Sequence, residues 1–288
     1  MKKIAYLFIV ILCALLCENC QSLNNSEITY FSNGKIELKS SSWPIPIKKH
    51  SYKDGKGRIS FYGILEEIPD SVFFRDSTLI RVDLPNSVKK IGSLSFYDCT
   101  SLEFINIPLN CETIGESSFA GCSKLQGIVL PQNICDLGDA AFSGCSSLDV
   151  LVIPEGVKII KGSTFADCIK LKSIKIPSTV TKIDAYAFFH CFSLDNVFLP
   201  YSLTEIGENC FSDCGFSQVS IPNGVELIPL GAFSGCLNLQ KVRFPIHVKK
   251  IEDHAFYYCP RLKTIDLPDS CVIIEEYAFA DCDSLQLK

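Results

Sequence analysis

Histidine, methionine and tryptophan are scarce in this chain. Its 288 residues include one methionine, one tryptophan and four histidines. There is no glycine-rich phosphate loop, no nucleophile elbow and no cluster with metal-ligand spacing. Basic residues (27) do not outnumber acidic ones (32), although nucleic-acid recognition needs a concentrated basic surface. We therefore predict that the protein is not an enzyme, holds no cofactor or metal, and does not bind nucleic acid.

Long apolar runs are also scarce. One such run, residues 4–16, follows Met1, Lys2 and Lys3, which is the pattern of a secretory signal and is short for a membrane-spanning helix. We predict a signal peptide over residues 1–22, a secreted or cell-surface protein, and no transmembrane helix in the mature chain. A lipid anchor at Cys17 or Cys20 is the weaker alternative, because neither cysteine follows a good small-residue lipobox.

What the sequence does contain is a repeat. Ten phenylalanines recur every 23 residues, with a single step of 22, at Phe73, Phe96, Phe119, Phe142, Phe165, Phe188, Phe211, Phe233, Phe256 and Phe279. A leucine usually follows six residues later and a proline twelve residues later. A repeat of this length falls in the range of leucine-rich repeats.

The consensus of one unit reads L-x-x-I-x-I-P-x-x-V-x-x-I-G-x-x-A-F-x-x-C-x-x. The alternating apolar residues before the proline, such as Ile105 and Ile107, predict a short strand that ends at the proline. The short segment that ends in the phenylalanine is predicted to be a helical or 3₁₀ turn on the other side. Identical strands reached by crossovers must lie parallel and in register, so each phenylalanine should stack on the next.

Cysteines follow the same spacing. Nine of the 16 stand three residues after a repeat phenylalanine, where Asp76 takes the place in the first unit. Stacked copies point the same way and their number is odd, which argues against disulfides, and a straight ladder cannot surround one zinc ion. We expect buried thiols that act as small apolar side chains with a weak S–H donor.

This unit resembles that of the BspA-type leucine-rich repeat family, over about residues 58–288. The resemblance implies an α/β solenoid of about 9–10 repeats, with a parallel sheet on the concave face and helical or 3₁₀ turns on the convex face. It also implies a surface or secreted protein similar to adhesins, with no catalytic residues. We assign residues 23–57 to an N-terminal leader or cap and residues 58–288 to the solenoid.

The variable positions of the predicted strands form the solvent face of the sheet, where repeat proteins bind their partners. These positions place apolar residues in the middle and charges toward the ends. The candidate binding residues are Phe104, Val129, Val150, Val152, Lys175, Phe198, Lys241 and Arg243. We predict that they bind an extracellular or cell-surface protein of a host or a microbe. The alternative is a structural protein that self-associates through an uncapped C-terminal edge, where Leu285 and Leu287 begin another strand.

Overall fold

The computed structural model describes residues 26–38 and 42–286. The predicted signal peptide, Cys17, Cys20 and Leu287 therefore lie outside the described residues. None of the described residues forms a helix long and apolar enough to cross a membrane.

Short β-strands are the regular elements of the described chain. Numbered in chain order, they are β1 (Glu27–Ser32), β2 (Ile47–Lys53), β3 (Lys56–Phe61), β4 (Glu67–Ile68), β5 (Leu79–Asp83), β6 (Lys90–Ile91), β7 (Phe104–Ile105), β8 (Thr113–Ile114), β9 (Asp136–Leu137), β10 (Val150–Val152), β11 (Ile159–Ile160), β12 (Ser173–Lys175), β13 (Lys182–Ile183), β14 (Glu205–Ile206), β15 (Gln218–Ser220), β16 (Leu227–Ile228), β17 (Lys241–Arg243), β18 (Lys250–Ile251) and β19 (Ile273–Ile274).

These strands build a leucine-rich repeat solenoid of about nine turns, with two parallel ladders. The first ladder, before the proline of each unit, contains β5, β7, β10, β12, β15 and β17, with isolated bridges at Asn196 and Thr264. The second ladder lies at the Ile-Gly position of each unit and contains β4, β6, β8, β9, β11, β13, β14, β16, β18 and β19. The first ladder follows the predicted strand positions. The second was not predicted, because two-residue strands leave no alternating pattern in the sequence.

The helical or 3₁₀ turns predicted around each phenylalanine are not found in the described chain. The nine segments from Phe73 to Phe256 instead each hold two residues with positive φ, such as Leu94 (57°) and Asp98 (53°) on either side of Phe96, and the Phe279 segment holds one, Asp281 (56°). A left-handed residue interrupts a right-handed helix. The backbone N–H groups of these three residues donate to carbonyl oxygens one turn later, at 2.9, 2.7 and 2.8 Å for Leu94, Asp98 and Phe96 respectively. The segments are therefore turns that bond between repeats, where a helix would bond within one segment.

The repeat phenylalanines form a continuous stack through the core. Consecutive rings lie nearly parallel, with centroids between 5.1 Å (Phe73 to Phe96) and 5.8 Å (Phe142 to Phe165) apart. At the 22-residue step, Phe216 takes the leucine position, is fully buried, and packs edge-on to Phe211 at 6.2 Å. Burying each phenylalanine contributes about 1.5–3 kcal/mol, so this stack is a main source of stability.

The repeat cysteines are free, and each has a specific hydrogen-bond partner. Their thiols donate to the carbonyl oxygen of the phenylalanine one repeat earlier, from 3.0 Å for Cys99 and Phe73 to 3.3 Å for Cys259 and Phe233. The same bond joins Cys122, Cys145, Cys168, Cys191, Cys214, Cys236 and Cys282 to their phenylalanines. The first unit has no earlier repeat phenylalanine to accept such a bond, and Asp76 there accepts hydrogen bonds from Thr78 instead.

The N-terminal strands cover the start of the solenoid. β1 pairs antiparallel with β5 on one side and with β3 on the other, and β2 pairs antiparallel with β3. β3 crosses the boundary that was predicted between the leader and the solenoid, at residues 57 and 58. β1 lies between β3 and β5 in the sheet. Ile28, Tyr30 and Ile59 are fully buried in this three-stranded unit. The unpaired edge of β5, which would otherwise invite association, is closed.

Candidate functional site

The candidate site is the strand face. We define it as the outward side chains of the first ladder, together with those of the equivalent residues before the proline in repeats that have no named strand there. Neighbouring strands are in register, so Arg81 lies beside Phe104, and Val152 lies beside Lys175. On the later strands Ser220 lies beside Arg243. The side chains between them, such as Val82 and Ile105, are buried, as the alternation predicted.

At the N-terminal end of the strand face, the charges neutralise each other. The Arg81 guanidinium donates to the Asp83 carboxylate at 2.8 and 3.0 Å, and lies 4.6 Å from the centre of the Phe104 ring. Asn106 is also engaged, because its side-chain amide bonds the backbone N–H and carbonyl of Leu84 at 2.6 and 3.0 Å. Half-buried Phe104 is thus held under a paired arginine and offers little surface to a partner.

The middle of the strand face is apolar, but its residues differ in accessibility. Val150 and Val152 are half-buried, whereas Val129 is 52% exposed and Phe198 is 82% exposed. Tyr201, which was not predicted from the sequence, is 98% exposed and directly follows Pro200, the proline that ends the strand segment of Phe198. Its signal was available, since the position after the proline is polar in most repeats and aromatic in this one.

Toward the C-terminal end, the strand face is basic. Lys175, Lys241 and Arg243 are all exposed, and none of them takes part in the ion pairs found among residues 26–38 and 42–286. Eight other lysines do form such pairs, including Lys172 with Asp149 at 3.1 Å and Lys250 with Glu275 at 2.7 Å. These three cations are therefore available to a partner.

The histidine and cysteine clusters outside the strand face are poorly suited to catalysis. His190 lies between Asp167 (2.9 Å) and Asp213 (3.5 Å), but the described residues contain no group of three metal-ligating side chains suited to an ion. Burial raises the pKa of most of the core thiols, to about 12 for Cys99 and for Cys168, so these two stay protonated at neutral pH and are poor nucleophiles.

The fold and its surface define the class of protein, which is a leucine-rich repeat solenoid. Backbone N–H and thiol groups form hydrogen bonds between its turns, and its sheet presents an open, partly apolar face. The comparisons make this more specific. A family model described as a BspA type leucine rich repeat region matches residues 66–194 and 158–286. The chain therefore belongs to the BspA-type leucine-rich repeat family, and the resemblance predicted from the repeat unit is confirmed.

Solved structures agree with this assignment. The chain is similar to a leucine-rich repeat protein from Bacteroides ovatus, with 26% identity, a TM-score of 0.58, and coverage of 92% of this chain and 81% of that one. It is also similar to a leucine rich cell surface protein from Faecalibacterium prausnitzii, with 26% identity, a TM-score of 0.50, and coverage of 82% and 78%. The pneumococcal vaccine antigen PcpA shares the fold at 18% identity, with a TM-score of 0.55 and coverage of 92% and 80%. No curated protein matches the sequence.

Proposed function

We propose that the protein is an exported, non-catalytic recognition module of the adhesin type, which binds a host or microbial surface protein through the strand face. The observation that carries the proposal is Phe198, a phenylalanine that is 82% exposed on the strand face. Exposed apolar groups with a polar rim often mark protein-binding sites, and aromatic anchors dominate their energetics. The apolar run at residues 4–16 and the similarity to a cell surface protein support export.

A double substitution tests the choice of surface. Phe198→Lys with Val152→Lys places two charges on the strand face and should abolish binding to immobilised matrix proteins and to microbial cells. The matched control is Tyr258→Lys, because Tyr258 is 50% exposed on a turn outside the strand face. Binding that survives the double substitution, or that is lost equally in the control, contradicts the proposal. Mass mapping of the natural N-terminus tests export and distinguishes cleavage from lipidation.

A second candidate function is self-assembly through the C-terminal edge of the solenoid. Ile273 and Ile274 on β19 are 49% and 47% exposed, whereas Ile251 on the preceding strand of the same ladder is fully buried. Within residues 26–38 and 42–286, no strand pairs with the far edge of β19. Light scattering over a range of concentrations tests this function, with Ile274→Lys as the variant expected to reduce association. A monomer at high concentration would count against it.

A further inference from the structure

The strand face is electrostatically asymmetric. In its N-terminal part the one cation, Arg81, is bonded to Asp83, whereas Lys175, Lys241 and Arg243 in the C-terminal part have no ion-pair partner among the described residues. Asp266 follows Arg243 one turn later, but no ion pair joins them in the described structure. The C-terminal half therefore carries a net positive charge that is not compensated within the chain.

Two aromatic side chains lie between these cations. Phe198 and Tyr201 are 82% and 98% exposed and belong to the same turn. That turn lies one rung after Lys175 and two rungs before Arg243, which corresponds to about 5 and 10 Å at the usual strand spacing. The rings thus form an apolar centre with positive charge on both sides along the solenoid.

We propose that this half of the strand face, defined by Lys175, Phe198, Tyr201, Lys241 and Arg243, binds an acidic polypeptide segment that carries an apolar side chain. The proposal rests on the proposed function and names the chemistry of its partner. Carboxylates on both sides of an apolar residue match cations on both sides of two exposed rings, and such complementarity gives specificity and a faster association rate. The distance from Lys175 to Arg243, about 15 Å over three rungs, is spanned by roughly four or five extended residues.

A protein partner fits this surface better than an evenly charged polysaccharide. The rung between Phe198 and Lys241 presents Gln218 and Ser220, which carry no charge. A polymer with an anion on every unit would place one anion opposite this uncharged rung. A peptide can place its apolar side chain and its carboxylates independently.

Selection from a displayed library of random dodecapeptides tests the proposal on the full chain. The native protein should enrich peptides that combine Asp or Glu with a leucine or an aromatic residue. The K241E/R243E variant should lose this preference and enrich neutral or basic peptides. A selected acidic peptide, measured by fluorescence anisotropy, should bind at least about tenfold more weakly to K241E/R243E and to Phe198→Ser than to the native protein. Its affinity should also fall as salt is raised.

Leu237→Ser with Tyr258→Ser is the matched control, because both side chains are 50% exposed on turns outside the strand face. It should leave peptide binding unchanged. Enrichment of neutral or basic peptides by the native protein, no enrichment at all, or heparin binding without peptide binding would each overturn the proposal. If matrix-protein binding is still lost in Phe198→Lys with Val152→Lys, the proposed function stands and only the acidic partner is wrong. If that double substitution has no effect, the proposed function fails as well.

Discussion

The stacked phenylalanines make stability depend on position along the solenoid. Phe165 is fully buried, and its ring centroid lies 5.8 Å from Phe142 and 5.5 Å from Phe188. Phe279 is only half-buried and stacks on one described ring, that of Phe256 at 5.2 Å. The same substitution to alanine at the two positions therefore removes different amounts of packing.

The expected magnitudes follow from these contacts. Replacing a core phenylalanine with alanine typically costs about 3–5 kcal/mol, and an aromatic pair contributes about 0.5–1.5 kcal/mol beyond area burial. Phe165→Ala leaves a cavity with ordered walls on both sides and loses two stacks, so we expect a loss near the top of that range. Phe279→Ala loses one stack and less buried area, so we expect about 2 kcal/mol.

Equilibrium unfolding in urea measures both losses. Circular dichroism follows the whole solenoid, and the fluorescence of the only tryptophan, Trp43, follows the N-terminal end, because its ring lies 4.9 Å from Phe61 and 6.2 Å from Phe73. In a repeat array each turn contacts its neighbours, so a central defect should separate the two transitions. Equal losses for Phe165→Ala and Phe279→Ala, or a loss below about 1 kcal/mol for Phe165→Ala, would refute the reasoning.

Three further outcomes are expected. Cys135 is the one exposed cysteine among the described residues, so Cys135→Ser should remove a fast phase of thiol labelling in the native protein, and an unchanged fast phase contradicts this. Gly57→Ala should lower the urea midpoint, because its Cβ would lie 1.8 Å from the buried Tyr30 ring, whereas Gly34→Ala meets nothing within 4 Å and should not. Burial and a nearby lysine lower the pKa of His50, so the unfolded chain takes up a proton that the folded chain resists. Stability should therefore fall as pH drops below about 6.5, by more than in His50→Gln, and equal pH profiles would exclude this role.

The core could be predicted from the sequence because each core position repeats. The 23-residue spacing of phenylalanines such as Phe119 and Phe142 placed them on successive turns, and the structure stacks their rings at 5.4 Å. The cysteines were predicted to be buried thiols with a weak donor, and the structure supplies the acceptor, for example Phe119 for Cys145 at 3.2 Å. Each repeat packs against copies of itself, so the spacing of core residues along the sequence also determines which residues contact each other between turns.

Features that depend on local backbone conformation could not be predicted in the same way. The positive φ values that flank the phenylalanines are taken by serine, leucine, aspartate and tyrosine as well as glycine, so composition does not mark them. The hydrogen bonds of the turn to its neighbour stabilise a conformation that these residues rarely adopt alone. The antiparallel pairing within the predicted cap was not visible in the sequence either, because β1 is a single strand with partners from two distant segments, β3 and β5.

The division between inward and outward positions separates the residues that stabilise the solenoid from those that are proposed to bind a partner. An inward change such as Phe165→Ala disturbs two neighbouring turns, whereas Phe198 and Tyr201 are so exposed that their replacement leaves the packing of the solenoid intact. Surface substitutions of this kind usually alter stability by less than about 0.5 kcal/mol. Binding and stability can therefore be measured separately in this protein. A variant of Phe198 that loses binding but keeps its urea midpoint identifies a contact residue, because a folding defect would have lowered both.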